Sequence, residues 1–351
     1  MPALLTSISH LARETLRELF TLSDRKRPPG LLIMATIAMG LPVLIGSACG
    51  AFATSSMGCM GGMVILYLRP RTSFAVRLRS LLLASSGFIL SFTLGLVSNY
   101  DPLVSTLTLA ATAFMAALIC RSNAVLPPAS FFFVLVACVA RAIPFDPALI
   151  LTRAAVLSAG CFGALCLGLV FSILRPATAA ELSDAPVTDK PQFLDALVES
   201  ATIAAFVAGG YHFARLIHLD NPYWVPISTI AILQGTSLRA VWHRKVHRIL
   251  GTAIGMGLAW LIFRSAPGPW TLSVTIMILG FLIESLVTRN YALAVIFITP
   301  LTVIYADAHS AYNQTEHLIL MRFVDSMLGS VIGYLGGLTL YLIRPAFVRK
   351  A

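Results

Sequence analysis

The chain has 351 residues, 58% of them hydrophobic and only 11% charged, with a mean hydropathy of +0.85. Soluble domains run near a quarter charged, so this chain lacks the charge to coat a water-facing surface, and a two-domain soluble protein is excluded. Its 25 Lys and Arg against 15 Asp and Glu would suggest nucleic acid in a soluble protein, but here the basic residues fall in short gaps between apolar runs. Membrane topology distributes them that way, and no nucleic-acid partner is expected.

Residues 4–22 put Leu4, Ile8, Leu11, Leu19 and Phe20 largely on one side at helical spacing, with Arg13, Glu14, Arg17 and Glu18 breaking the run. That predicts a cytoplasmic amphipathic helix on the membrane surface within residues 1–29, and not a cleavable signal. A bilayer span needs about 20 mostly apolar residues. Such runs lie near 30–48, 51–68, 80–98, 103–120, 125–143 and 152–174, giving a first six-helix module over residues 30–176. A polar cytoplasmic linker follows at 177–195, carrying Glu181, Asp184, Asp189 and Lys190 among Pro and Ser. Apolar runs resume near 197–214, 222–236, 249–264, 268–287, 291–307 and 320–343, a second six-helix module over 196–345, before a cytoplasmic tail at 346–351. The expected fold class is an all-α polytopic membrane protein with about twelve transmembrane helices.

Charge and repetition refine that plan. With both termini in the cytoplasm, all of the 25 basic residues except Arg141, Arg153, Arg215, Arg264 and Arg322 fall on the inner side. Arg153…Arg175-Pro176-Ala177 aligns without gaps on Arg322…Arg344-Pro345-Ala346, an offset of 169 residues, and Gly160, Gly168 and Leu169 fall on Gly329, Gly337 and Leu338. Arg79 and Arg248 share the same offset. Two halves of six spans each would lie parallel, related by an axis along the membrane normal, a plan that favours transporters and channels.

After the eighth span, Gln234-Gly235-Thr236-Ser237-Leu238-Arg239 opens a short basic, aromatic-bearing helix with Trp242, His243, Arg244, Lys245, His247 and Arg248. It feeds a Gly-rich span in which Gly251-x-x-x-Gly255 would let a neighbouring backbone approach closely. The first half echoes this elbow as Arg69-Pro70-Arg71-Thr72 and Arg77-Leu78-Arg79. Arginines so placed anchor a helix end to lipid headgroups.

This elbow, with Pro222-Tyr223-Trp224-Val225-Pro226 before it, resembles the fusaric acid resistance family of membrane transporters. Two further stretches carry the resemblance: Arg289-Asn290-Tyr291 running to Thr299-Pro300-Leu301, and Arg322-Phe323-Val324-Asp325-Ser326 running to Gly329-Ser330. Their order and spacing are similar to that family's second membrane module and cover roughly residues 195–345; the first half is similar chiefly through the repeat. The resemblance implies a bacterial inner-membrane exporter of aromatic carboxylic acids and related small organics, working with a periplasmic adaptor subunit. Larger members carry a substantial cytoplasmic domain between the modules, where this chain has the short linker.

Ionisable groups inside spans are costly and mark function by default. Glu284, within Gly280-Phe281-Leu282-Ile283-Glu284-Ser285-Leu286, is a candidate proton carrier, or else a paired carboxylate beside Arg289. Arg322 and Asp325 are three residues apart on one helix face and could pair. Arg153 repeats Arg322, whereas Asp325 answers Val156. The two arginines could draw an organic carboxylate through, with Asp325 gating or carrying a proton; the alternative is a set of span-end anchors. Tyr223 and Trp224 either stack on an aromatic substrate or form part of an interfacial aromatic belt. Pro226 and Pro300 free backbone carbonyls inside spans, and Pro300, deeper in its run, is the better marker of a pathway.

Other chemistries find little support. His243 and His247 are four apart, but Arg244 and Lys245 beside them would repel a cation, so no metal site is expected. The six cysteines lie in apolar runs without a Cys-x-x-Cys pair, which argues against zinc and disulfides. There is no Gly-x-x-x-x-Gly-Lys-[Ser/Thr] loop and no His, Asp or Ser constellation, so no cofactor and no enzyme activity are expected. The leading expectation is a proton-coupled exporter of small aromatic or organic carboxylic acids. A passive organic-anion channel, or a membrane subunit or scaffold of a larger efflux assembly, is the alternative, and a homo-oligomer stays open.

Overall fold

The computed structural model describes residues 21–24, 26–125, 128–178, 192–235, 237–307 and 315–343. The amphipathic helix expected over 4–22 lies outside these, apart from Thr21 and Leu22, which are not helical. Most of the 177–195 linker and the 346–351 tail also lie outside them. Among the described residues the fold is all helical: α1 (Pro29–Ala48), α2 (Phe52–Gly62), α3 (Phe74–Val97), α4 (Pro102–Ser122), α5 (Phe131–Ala142), α6 (Ile150–Leu174), α7 (Phe193–Leu216), α8 (Trp224–Leu233), α9 (Leu238–Arg264), α10 (Pro269–Leu286), α11 (Tyr291–Asp307) and α12 (Thr315–Ile343). Helix α2 tightens into a 3₁₀ turn over Met63–Tyr67.

Local chemistry sets several boundaries. Proline opens α1, α4 and α10, where its missing N–H costs nothing. The Asp101 carboxylate caps α4 by accepting from the amides of Leu103 and Val104, and the Ser237 hydroxyl caps α9 by accepting from Ala240. The basic elbow is therefore the first turns of α9 and not a separate helix.

Eight helices are long and apolar enough to cross a membrane: α1, α3, α4, α6, α7, α9, α10 and α12. The other four apolar helices are shorter. With 10 residues, α8 is about 15 Å long, half the thickness of a bilayer's hydrocarbon core. The spans expected at 51–68, 125–143 and 222–236 are thus present as helices but shortened. Pro128 precedes α5, Pro222 precedes α8, and Ser55, Ser56, Gly58, Gly61 and Gly62 dilute the apolar run of α2.

Length and burial are coupled. All ten residues of α8 are buried, as is most of α2. The long helices instead keep large apolar residues on the outside, among them Leu83, Leu90, Leu107, Phe162, Ile254, Leu261 and Ile278. Those residues have no place in water, and they form the lipid-facing surface. The short helices lie inside this jacket.

Packing follows a regular pattern. In the first half α1 packs on α2 and α6, α2 on α6, α3 on α5 and α6, and α4 on α5. In the second half α7 packs on α8 and α12, α8 on α12, α9 on α11 and α12, and α10 on α11. The halves meet where α4 packs on α7 and α10 on α1. The Arg121–Glu199 ion pair at 3.0 Å ties the first seam, and a 2.8 Å bond between the Ser47 and Ser273 hydroxyls ties the second.

Two glycines set the closest approaches. A Cβ on Gly160 of α6 would lie 1.9 Å from the Gly58 carbonyl oxygen of α2, and one on Gly329 of α12 would lie 2.4 Å from that of Val225 on α8. Gly163, on the same helix as Gly160, faces open space. We expect Gly160→Ala to destabilise the protein by about 1–3 kcal/mol through overpacking. Gly163→Ala should be neutral or stabilising by up to about 1 kcal/mol through helix propensity. Thermal melts in detergent micelles compare the two directly; equal melting points would refute the close-packed α2–α6 contact.

Candidate binding cavity

One stripe of α9 carries Val241, Arg244, Arg248, Gly251 and Gly255 at alternating spacings of three and four, so they share a face. The glycines let α9 press on α11, since Cβ atoms there would lie 2.7 Å from the Ala292 carbonyl oxygen and 2.6 Å from that of Ile296. The close approach expected of Gly251 and Gly255 is therefore made, and α11 is the partner. It also swings the two arginines inward. Arg248 is buried and donates from Nη2 to the Ser228 hydroxyl on α8 (3.1 Å) and from Nη1 to the Tyr291 hydroxyl on α11 (3.3 Å). Arg244 donates to the Ala231 carbonyl (3.3 Å), with its guanidinium 5.0 Å from the centre of the Tyr291 ring.

A third arginine reaches the same short helix one turn earlier, at Trp224. Arg322, on α12, is buried and donates from Nη1 to Ser326 (2.8 Å) and from Nε to Thr302 (3.3 Å). Its guanidinium lies 3.9 Å from the centre of the Trp224 ring, a close cation–π contact. Tyr223 stacks beside Trp224 with ring centres 5.0 Å apart and donates to the Asn221 side chain (3.1 Å). Both aromatics are buried, so they serve the interior and not an interfacial belt.

These groups line a cavity of about 290 Å³ that both halves enclose. Among the described residues its cations are Arg27, Arg244, Arg248 and Arg322 and its one acid is Glu284, which is ion-paired with Arg27. The walls are apolar and aromatic: Met39, Met60, Met63, Phe131, Phe132 and Leu135 from the first half face Tyr223, Trp224, Tyr291 and Tyr305 from the second. Each of the four short helices contributes lining residues. A small apolar chamber with several guanidinium groups and one neutralised acid favours an anion with an apolar body, because charges interact strongly where water is sparse.

The residues singled out from sequence fall into three groups. Tyr223, Trp224, Glu284 and Arg322 line the cavity together. Pro300 is buried in α11 two residues before Thr302, which receives the Arg322 Nε hydrogen bond. Asp325 is buried one turn along α12 from Arg322, yet neither of its carboxylate oxygens accepts a hydrogen bond. The ion pair that their spacing allows is not made, because Arg322 is turned toward Thr302, Ser326 and Trp224. Arg289 and Arg153 stand apart: Arg289 donates to the Ser23 carbonyl (3.3 Å), and Arg153 to that of Pro144 (2.7 Å) at the mouth of the α5–α6 turn. Arg153 and Arg322, 169 residues apart, thus have different partners.

Sequence reasoning missed Arg27, Arg244 and Arg248. The arginines of the elbow read as headgroup anchors. The signal against that was their register, because Arg244 and Arg248 continue the stripe of Gly251 and Gly255 and so must follow it into the bundle.

Fold and cavity define an all-helical, multi-pass membrane protein. Residues 205–336 match the fusaric acid resistance protein-like family, and this segment holds the whole second-half wall of the cavity. "Uncharacterized membrane protein YvaC" of Bacillus subtilis (strain 168) is 35% identical over 129 residues, which are 37% of this chain and 20% of that protein. The match therefore covers about a fifth of this relative's length. No solved structure matches the chain. It is a membrane protein similar to the fusaric acid resistance protein-like family over residues 205–336.

The two unusual charges of α12 should respond differently to neutralisation. Arg322→Gln strands Thr302 and Ser326 and removes the cation from Trp224, so we expect a loss of about 3 kcal/mol, as for a broken buried charged network. Asp325→Asn removes a buried charge without a hydrogen-bond partner and should leave the melting temperature unchanged or raised. Thermal melts that placed Asp325→Asn below Arg322→Gln would overturn this assignment.

Proposed function

We propose that this chain exports small aromatic or other organic carboxylic acids across a bacterial inner membrane through the central cavity. The observation that carries the reading is the composition of that cavity. Arginines gather inside a membrane-embedded apolar chamber whose one acid is already neutralised. A carboxylate would meet Arg244, Arg248, Tyr291 and Arg322, with its apolar body against the methionines and phenylalanines of the first half. The likeness to a transporter family supports the same conclusion.

In this reading the twelve helices form two parallel six-helix repeats. The support is positional. Short helices stand second and fifth in each half, corresponding helices pack on corresponding partners, and Gly160 and Gly329, at equivalent repeat positions, make equivalent close approaches. Both termini are assigned to the cytoplasm on the bias of basic residues. Proton coupling is assigned to Asp325, the buried acid without a hydrogen-bond partner, in preference to Glu284, which Arg27 already holds. A periplasmic adaptor would carry the substrate onward.

Proteoliposomes test the whole reading. Wild-type protein should move benzoate against its concentration gradient when a pH gradient is imposed. Arg248→Gln and Arg322→Gln should each lower the rate roughly tenfold or more, the value of a hydrogen bond to a charged group. Asp325→Asn should lose gradient-driven movement and keep downhill flux. Downhill flux alone in the wild type would make the protein an anion channel, and no flux of any organic acid would leave it a scaffold.

A further inference from the structure

The segment just before α1 links the α10–α11 turn to the wall of the cavity. Its backbone is tied to the α10–α11 turn: the Ser23 amide donates to the Arg289 carbonyl (2.9 Å), and the Arg289 Nε donates back to the Ser23 carbonyl (3.3 Å). Next to these, the Asn290 side chain donates to the Thr21 carbonyl (3.1 Å). At the other end of this short strap, Arg27 reaches into the cavity and makes an ion pair with Glu284 of α10. Two kinds of contact thus tie the strap: hydrogen bonds to the α10–α11 turn, and the Arg27–Glu284 ion pair in the cavity wall.

That ion pair has a chemical consequence. Glu284 is a carboxylate bound to a guanidinium in the wall of a chamber proposed to take carboxylates. It occupies the anion position on Arg27 that an incoming ligand would use. We infer that Arg27 is an anion subsite in the cavity wall, that Glu284 is its built-in competitor, and that a carboxylate ligand which displaces Glu284 from Arg27 loosens the strap. The inference rests on the proposed function, and adds to it an order of events: exchange at Arg27, release of the strap, then passage to Arg244 and Arg248.

One carboxylate replaces another on the same cation, so Arg27 is not left bare while the ligand remains bound. Glu284 is left to find hydration where the strap has loosened. Breaking the pair without replacement would strand Arg27 in an apolar wall, and this keeps the strap fastened in the absence of ligand. The hydrogen bonds at Ser23 and Asn290 are each worth about 1–3 kcal/mol, so loss of the ion pair weakens the strap's attachment.

The test combines ligand binding with amide hydrogen exchange, on purified full-length protein in detergent with benzoate as the probe. In the wild type, saturating benzoate should speed exchange in the peptide that contains residues 21–28. Glu284→Gln should show that faster exchange without ligand and should bind benzoate roughly tenfold tighter, because its competitor is gone. Arg27→Gln should also exchange fast without ligand, but should bind benzoate more weakly than the wild type. In the double variant, Glu284→Gln should add nothing to Arg27→Gln. A Glu284→Gln protein that stays protected at residues 21–28, or that binds benzoate no better, would overturn the latch. Benzoate binding to a wild type whose strap stays protected would overturn the latch alone and leave the proposed function standing. A wild type that binds no benzoate would sink the proposed function, and with it the carboxylate as the releasing ligand.

Discussion

Every backbone amide and carbonyl placed in a bilayer must find its partner inside the protein, and a helix of ten or twelve residues cannot satisfy that rule across the full hydrocarbon depth. A short helix is tolerated at that depth only where other protein covers its ends. Helices α2, α5, α8 and α11 are short, and the chain places them behind long helices whose outer faces carry Leu, Ile and Phe. The cavity follows from the same constraint. Where a short helix stops, its neighbours cannot close over the gap with backbone, so side chains line the space that remains. All four short helices meet at the one chamber for this reason.

The polarity of that chamber depends on how its arginines are held. Arg248 and Arg322 are each fixed by two neutral hydroxyls, and Arg244 by a carbonyl and an aromatic ring. Hydroxyl and ring contacts orient a guanidinium without cancelling its charge. Arg141 shows the contrasting arrangement. It is equally buried but wrapped by the oxygens of Ser105, Ala137, Ser98 and Thr108, lies outside the cavity lining, and staples α3, α4 and α5 together. Burial alone does not mark a functional cation. What matters is whether the group still borders a space where an anion can fit.

The fold was largely legible because its strongest signals are additive along the chain. Apolar runs separated by basic gaps located all twelve helices, and the spacing of Gly251 and Gly255 foretold the close contact with α11. Helix length was less legible, since Ser55, Gly58 and Gly61 dilute an apolar run without ending it, and hydropathy does not say which runs sit behind others. The site was half legible. Trp224, Tyr223, Glu284 and Arg322 stood out as polar or aromatic residues at span positions. Arg27 did not, because a basic residue ahead of the first span is what topology demands anywhere, and its partner Glu284 is 257 residues away. The spacing of Arg322 and Asp325 suggested a pair, but helical register shows which residues can meet and not which way a long side chain turns. Thr302 and Trp224, from other helices, decided that for Arg322.

The asymmetry between the halves then becomes intelligible. Arg244, Arg248 and Arg322 come from the second half, and the residues 169 positions earlier have other duties or other identities: Arg79 is exposed, and Arg153 braces a turn. The first half supplies Met39, Met60, Met63, Phe131 and Phe132, side chains that adapt to varied apolar shapes but hold no charge. A ligand between such walls would be oriented by its charged end and only loosely read along its body. Such a division suits a family of related acids better than a single one. It also places tight sequence constraint on the second half, where three guanidinium groups must keep their neutral partners, and little on the first, where only volume and polarity are held. The family likeness is confined to residues 205–336, the segment in which those partners lie.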